Sequence, residues 1–313
     1  MNIAKKILIG IGIIIGVLIA LLLLDYIILN ISYNMNKYRY EEVFDVQGNT
    51  NKYIPQGMAY SDKYNVVLQT SYSGKHEVSM LYITDFKTGN LIKSLKLLDI
   101  NGNEDCSHVG GIATDNNTVW ITSDYSVREY LLEDIINANG DYIKCRAKTD
   151  LGIRGDFCYY GYNTLYIGDF YLAPFYKVPD GNPLLLAYNT ETDYNYDKPD
   201  YIISLPKKVQ GMTITPNKSF IFTCSFTNLV KSDLKVYSNV LEETPDKYNY
   251  KGREVPYYKF TKKNNILQVK FPPMAEGIFS IDNDLYMIFE SCSDNYFFAL
   301  PKMKKVIKYT LKV

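Results

Sequence analysis

Cysteine and histidine are scarce in this 313-residue chain, and several recurrent motifs are absent from it. Five cysteines are scattered without a CxxC pair, which excludes a zinc ribbon and a disulfide scaffold. Only two histidines are present, and no HExxH, GxSxG, P-loop or GxGxxG motif occurs. The sequence therefore lacks the local signatures of zinc proteases, serine hydrolases and nucleotide-binding enzymes.

An excess of charge of either sign is also missing. The 34 basic residues balance 34 acidic residues, which gives a formal net charge of zero. Nucleic acid is therefore not expected as a partner, and neither is an acidic membrane surface. Hydrophobic residues make up 47% of the chain, which is enough for a large core.

One long hydrophobic run is present, at the N-terminus. Ile7–Leu24 reads ILIGIGIIIGVLIALLLL and carries no charge, a length that nearly spans a bilayer. No small-x-small cleavage site follows, so the segment is predicted to be an uncleaved signal-anchor within residues 1–30. Lys5 and Lys6 precede it, which places the N-terminus in the cytoplasm. A linker over residues 31–40 and an extracytoplasmic domain over residues 41–313 are expected to follow.

The rest of the chain is dominated by strand patterns. Short apolar or alternating runs such as MLYITDF, TVWITSD, SFIFTCSF and DLYMIFES are separated by Gly, Asn, Asp and Pro. Such spacing is typical of an all-β sandwich, barrel or propeller. One short helix is predicted, over Leu131–Asn137.

An internal repeat distinguishes between these folds. Five segments share one pattern: a polar residue comes first, a glycine usually follows it, and an apolar strand comes next. Their polar residues lie 48 to 66 residues apart, in PQGMAYS, HVGGIATD, GDFCYYGY, VQGMTITP and AEGIFSID. Each is followed by a turn and a second strand, as in a four-stranded propeller blade. Too few residues follow the last segment for four strands, and EEVFDV, Glu41–Val46, can supply the missing one. The sequence therefore predicts a five-bladed β-propeller closed by an N-terminal strand.

In a propeller, the inner strands begin around one mouth of the central channel. The residues predicted at these five starts are Gln56, His108, Asp156, Gln210 and Glu276. The second strands end at the same face, and the residues predicted there are Ser71, Asp124, Asp169, Ser225 and Glu290. The glycines allow the inner strands to converge where bulkier side chains would clash.

Several kinds of chemistry fit this ring. The predicted ligand-binding residues are Gln56, His108, Asp156, Asp169, Gln210, Glu276 and Glu290. Oxygen ligands suit calcium, whereas His108 together with Asp156 and Glu276 could hold zinc or manganese. His108, Glu276 and Glu290 are candidates for metal-free acid–base catalysis. The ring could equally hold only ordered water.

The repeat motifs carry a resemblance. PQGMAYS, HVGGIATD, KVQGMTITP and PPMAEGIF with LYMIFES resemble a family of secreted or membrane-anchored bacterial proteins that are usually interpreted as β-propellers, over about residues 53–313. More distantly, the arrangement is similar to five-bladed enzymes with a cation in the channel, such as plant-type glutaminyl cyclases and calcium-dependent arabinanases. The catalytic motifs of these enzymes have no match in this chain.

Two functions follow as expectations. The first is a membrane-anchored module that binds a cell-envelope glycan, peptide or protein at the channel mouth. The second is an extracytoplasmic hydrolase or cyclase that uses a cation with His108 and carboxylates. Calcium is the cofactor that the second function would use.

Overall fold

The computed structural model describes residues 3–36, 40–49 and 53–312. Helix α1 (Ile3–Asn36) contains a segment, Ile3–Ile28, with a mean hydropathy of 3.3 that is long enough to cross a membrane. None of this segment is buried against the rest of the protein. A helix suits such a segment because it pairs every backbone amide internally. The helix continues to Asn36, so the first part of the predicted linker is helical, and its residues 37–39 lie outside the described residues.

The described residues after α1 form 23 strands, one short α-helix and three single-turn 3-10 helices. Strand β1 spans Glu41–Asp45. The first blade contains β2 (Tyr53–Ser61), β3 (Val66–Ser73), β4 (Met80–Asp85) and β5 (Leu91–Leu98). The second region contains β6 (Gly111–Thr114), β7 (Thr118–Ser123), β8 (Ser126–Leu131), α2 (Leu132–Asn137), β9 (Tyr142–Lys144) and β10 (Ala147–Asp150). Helix α2 confirms the short helix that the sequence predicts over Leu131–Asn137.

The remaining strands complete three further blades. The third blade contains β11 (Phe157–Gly161), β12 (Thr164–Gly168), β13 (Leu184–Asn189) and β14 (Tyr201–Ser204). The fourth region contains β15 (Val209–Ile214), β16 (Phe220–Cys224), β17 (Ser232–Tyr237), β18 (Asp246–Tyr250), β19 (Arg253–Lys259) and β20 (Asn265–Phe271). The fifth contains β21 (Ala275–Ile281), β22 (Asp284–Phe289) and β23 (Lys305–Thr310).

The N-terminal strand closes the ring. Strand β1 pairs antiparallel with β23, with Glu41 opposite Lys308 and Asp45 opposite Lys305. The last blade therefore has the order β1-β23-β22-β21. The predicted all-β, five-bladed propeller with a closing N-terminal strand and a preceding apolar helix is confirmed. Closure stabilises the ring because it removes the unpaired edge of the last blade.

Two insertions extend neighbouring blades. Strand β9, which lies between the third and fourth strands of the second blade, pairs parallel with β5 of the first blade. In the same way, the β18–β19 hairpin lies between β17 and β20 of the fourth blade, and β19 pairs parallel with β14 of the third. Each insertion thus covers the outer edge of the preceding blade and fastens two blades together.

The core lies between adjacent blades. Leu68 and Leu81 of the first blade pack with Val119 and Ile121 of the second, all of them fully buried. The central strands have both faces covered, which explains why a run such as DLYMIF in β22 is apolar at almost every position.

Glycines bring the inner strands into backbone contact. A Cβ atom added at Gly277 would lie 2.6 Å from the Gln56 carbonyl oxygen and from the Met58 amide nitrogen. One added at Gly111 would lie 2.4 Å from the Cys158 amide nitrogen. No side chain fits at these positions, and the channel is constricted there. This constriction forms the floor of the site described next.

Candidate functional site

A cavity of about 510 Å³ opens at the end of the channel where the inner strands begin. All five blades contribute to its wall, through the residues Gln56, Tyr72, His108, Gly110, Ser123, Asp124, Arg154, Asp156, Phe170, Tyr176, Gln210, Ser225, Phe226, Thr227, Asn228, Met274, Glu276, Glu290 and Tyr296. At the glycine level the free space falls to about 10 Å³. The cavity is therefore a blind pocket with a closed floor.

Six of the seven predicted ligand-binding residues line this cavity: Gln56, His108, Asp156, Gln210, Glu276 and Glu290. Asp169 does not, because it is 2% exposed and its Oδ1 accepts a hydrogen bond of 2.7 Å from the Arg154 backbone amide. The next residue, Phe170, lines the cavity instead. Ser71 is likewise buried, and Tyr72 takes its place. Both errors are shifts of one residue, which in an extended chain turn a side chain to the opposite face.

His108 is displaced from its predicted register. In the second blade, Gly110 holds the position that Gln56 holds in the first blade and Asp156 holds in the third. A Cβ atom at Gly110 would lie 2.2 Å from the Asp156 carbonyl oxygen. His108 lies in the loop before β6, and its ring packs on Tyr72 with the ring centroids 4.1 Å apart. Solvent still reaches the ring, but the crowded mouth disfavours the imidazolium and lowers the pKa of His108. The neutral imidazole is thus favoured.

Two carboxyl groups form the most perturbed part of the site. Glu276 is 3% exposed, and its Oε1 accepts a 2.8 Å hydrogen bond from Gln210 Nε2. Oε1 of Glu290 accepts a 2.6 Å hydrogen bond from Gln56 Nε2. Burial and the nearby Glu290 charge raise the pKa of Glu276 well above its ordinary value. Burial raises the pKa of Glu290 to about 7. The pair therefore binds protons near neutral pH.

An ion pair on the opposite wall was missed at the sequence level. Arg154 Nε and Nη2 lie 3.0 Å from Asp156 Oδ2 and Oδ1, and the Phe170 amide donates to Asp156 over 2.8 Å. Burial and the Asp156 charge raise the pKa of the neighbouring Asp169 to about 7. Arg154 is one of only five arginines in the chain, and it stands two residues before a predicted site residue. The rarity of arginine and this position next to Asp156 were the sequence features that could have identified Arg154 as a site residue.

Aromatic rings make up the rest of the wall. Phe170, Tyr176 and Phe226 form an aromatic wall in which the centroids of Phe170 and Tyr176 lie 5.2 Å apart and those of Tyr176 and Phe226 lie 6.1 Å apart. Phe175 stacks on the outer side of Phe226 at 6.2 Å and is 74% exposed. The aromatic loop YLAPFYKVPDGNP, which contains Tyr176, is visible in the sequence, and Phe170 and Phe226 each directly follow a predicted second-strand end, as Tyr72 does. That repeat was the available signal for these two rings.

The cavity mouth is surrounded by exposed apolar side chains on three loops. We call them the apolar collar: Phe175, Tyr176, Leu229, Val230, Phe297 and Phe298. Each loop joins the second strand of its blade to the third. Phe297 and Phe298 are 77% and 76% exposed. An apolar surface of this kind next to a cavity is typical of a binding region.

The arrangement does not favour the predicted calcium, zinc or manganese. Among the described residues, no group of three or more His, Cys, Asp or Glu side chains is placed to hold a metal ion. Arg154 engages Asp156, and an amide engages each of the two glutamates. These contacts occupy the oxygens that a cation would need, so the residues present do not fit a calcium site.

Comparisons with known proteins support the fold alone. No protein-family model matches the chain, and no curated protein matches it in sequence. Similar solved structures include the PQQ-bound aldose sugar dehydrogenase of Streptomyces coelicolor, with 13% identity, a TM-score of 0.49 and coverage of 87% of this chain and 97% of that one. Glutaminyl cyclase of Myxococcus xanthus has 9% identity, a TM-score of 0.47 and the same coverages. BamB of Moraxella catarrhalis has 13% identity, a TM-score of 0.36 and coverages of 82% and 85%. These neighbours are bacterial β-propellers, and at such low similarity they carry no argument about activity.

Proposed function

We propose that this protein is a membrane-anchored, extracytoplasmic β-propeller that binds a cell-envelope ligand in the channel-mouth cavity. The observation that carries the proposal is the blind pocket itself, which combines six convergent polar residues from five blades with an aromatic wall. Concave, partly apolar pockets with a few placed polar groups are the usual form of ligand sites. The cavity volume of about 510 Å³ lies within the usual range of ligand pockets.

The anchor supports the proposed location. The apolar segment Ile3–Ile28 is long enough to span a bilayer. Lys5 and Lys6 lie at its start, and the positive-inside rule then leaves the N-terminus in the cytoplasm and the propeller outside. A ligand of the cell envelope would meet the cavity in this orientation.

The apolar collar supports a ligand larger than the cavity. Phe175, Leu229 and Phe297 lie around the mouth with half or more of their surface exposed. A glycan, peptide or protein that places one unit in the pocket would cover these side chains with its neighbouring parts. Such burial contributes about 25 cal/mol per Å² of apolar surface.

Binding can be tested with the full chain in lipid nanodiscs. Isothermal titration with defined cell-wall glycopeptides should show saturable binding. Asn228→Trp places a large side chain at the half-buried rim and should abolish it. Asn283→Trp, in the exposed turn between β21 and β22 at the other end of the channel, is the matched control and should bind normally. Equal binding by both variants would place the site elsewhere.

A second function, acid–base catalysis, is favoured by the paired glutamates. A carboxyl group with a pKa near 7, such as Glu290, can donate and accept a proton at physiological pH. The two functions differ in the fate of the ligand. Mass spectrometry of the ligand after incubation should show a new product that is lost in Glu290→Gln if the site is catalytic. Recovery of unchanged ligand supports binding alone.

A further inference from the structure

We propose that the cavity recognises its ligand through a primary ammonium group held by Glu276 and Glu290. This inference rests on the proposed ligand-binding function and names the ligand class. Three independent features of the pocket support it: the balance of hydrogen-bond donors and acceptors, the balance of charge, and a buried hydroxyl without a partner.

The amide and guanidinium groups beside the carboxyl groups of the cavity already donate to protein acceptors. Gln56 Nε2 donates to Glu290 over 2.6 Å and to the Pro55 carbonyl over 2.9 Å. Gln210 Nε2 donates to Glu276, and the Arg154 fork donates to Asp156. Ser225 and Tyr296 also engage the carboxyl groups of Glu276 and Glu290, but among the described residues no protein donor reaches the side-chain amide oxygens of Gln56 and Gln210. A ligand rich in donors matches this wall, and an ammonium group offers three N–H donors without any acceptor.

The charge balance favours a cation in the same place. The acidic residues of the cavity wall are Asp124, Asp156, Glu276 and Glu290, and Arg154 is paired with Asp156. His108 is biased toward its neutral form. Burial and mutual repulsion keep protons on the two neighbouring carboxyl groups, and an ammonium that displaces these protons would form charge-assisted hydrogen bonds with both.

A buried hydroxyl in the wall lacks a partner. Ser123 is 2% exposed and lines the cavity, and its Oγ has no hydrogen-bond partner. An unsatisfied buried hydroxyl costs about 1–3 kcal/mol. A polar ligand that reaches Ser123 would remove this cost. This observation is independent of the glutamates and indicates that the polar wall is completed by a ligand.

An ammonium group fits better than a metal ion. A metal needs several oxygen ligands at one short distance, and no such group exists among the described residues. Hydrogen bonds from an ammonium reach separate acceptors, which the two glutamates provide. Primary amines should therefore bind, whereas quaternary amines lack the donors and should bind weakly.

The test compares matched amine and amide probes on the full chain in nanodiscs. Nα-acetyl-lysine amide carries an ammonium, and Nα,Nε-diacetyl-lysine amide lacks it. Isothermal titration should show at least tenfold tighter binding of the first. Ethanolamine and glucosamine distinguish a lipid-headgroup source and a sugar source from a peptide source. Glu276→Gln and Glu290→Gln should each weaken the amine at least tenfold, whereas the exposed Glu133→Gln on α2 should not.

The dependence on pH gives a readout that a structural role would not change. Binding of the ammonium displaces protons from Glu276 and Glu290, so its affinity should rise between pH 6 and 8, by up to about tenfold per pH unit for each proton released. The other titratable or charged groups in the wall are Tyr72, His108, Asp124, Arg154, Asp156 and Tyr296. His108 and the buried Asp169 behind Arg154, whose pKa is about 7, can also change charge in this range. His108→Asn and Asp169→Asn should therefore each retain the pH dependence.

The outcomes separate this inference from the proposed function. If the diacetylated probe or a neutral glycopeptide binds as tightly as the amine, the ammonium inference is overturned and ligand binding stands. If neither the amines nor the glycopeptides bind, both are overturned. The melting temperatures of Glu276→Gln and Glu290→Gln show whether each variant is folded. If Glu276→Gln does not fold, the binding test is carried out with Glu290→Gln.

Discussion

Gln56 Nε2 donates a 2.6 Å hydrogen bond to Glu290 Oε1, across 234 residues of sequence. Gln56 lies on the inner strand of the first blade, and Glu290 follows the second strand of the fifth. The bond therefore joins the two blades between which the ring closes. The same contact orients a carboxyl group of the proposed site, so ring closure and site geometry depend on one another.

The first prediction concerns stability against pH. Glu290 has a pKa of about 7 in the folded protein and an ordinary value of 4.5. The folded state therefore binds more protons in this interval, and the stability from Glu290 is present below pH 4.5 and is lost as pH rises through about 7. Glu290→Gln cannot titrate. Its melting temperature should change less than that of the wild type between pH 4.5 and 7.5, as measured by scanning calorimetry. Parallel curves would contradict the raised pKa.

The second prediction concerns the convergence of the inner strands. A Cβ atom in Gly277→Ala would lie 2.6 Å from backbone atoms of the first blade, which cannot move aside easily. We expect a loss of about 1–3 kcal/mol in the free energy of unfolding, measured in urea. Gly140→Ala is the control, because the nearest atom there would lie at 3.6 Å. Equal stability of the two variants would show that the inner strands are farther apart than described.

The third prediction concerns a buried ion pair beside the site. Arg128 and Asp105 form a salt bridge with side chains that are 3% and 6% exposed. Arg128→Met leaves Asp105 charged and buried, and we expect a loss of about 3–5 kcal/mol in the free energy of unfolding. The double variant Asp105→Leu, Arg128→Met should recover much of it. The exposed pair of Arg146 with Asp134 provides the control, and Arg146→Met should cost less than about 1 kcal/mol.

The fourth prediction concerns topology. Cys106 is exposed, whereas the other four cysteines are buried. If the propeller lies outside the cell, a membrane-impermeant maleimide should label intact cells at Cys106. Partial burial and then the acidic neighbours Glu104 and Asp105 raise the pKa of the thiol, so the reaction should be carried out at mildly alkaline pH. Cys106→Ser is the matched control. Labelling that needs lysis would reverse the proposed orientation.

The sequence by itself determined the architecture. Ile7–Leu24 is long and apolar enough to cross a membrane as a helix, and α1 includes all of it. The five repeated segments indicated five blades, and glycine at the same position in four of them fits strands that converge on an axis. The short last repeat required one further strand, and Glu41–Asp45 supplies it.

Only the tertiary structure decided which side chains reach the cavity. Asp169 and Phe170 are adjacent, yet one is buried beneath Arg154 and the other faces the site. His108 lies in the loop before its strand, and Gly110 holds the equivalent position. Side chains alternate along an extended chain, so an error of one residue reverses their direction, and composition does not fix that register. The salt bridge of Arg154 and the aromatic wall depend on loops from different blades, whose contacts arise only when the ring is closed.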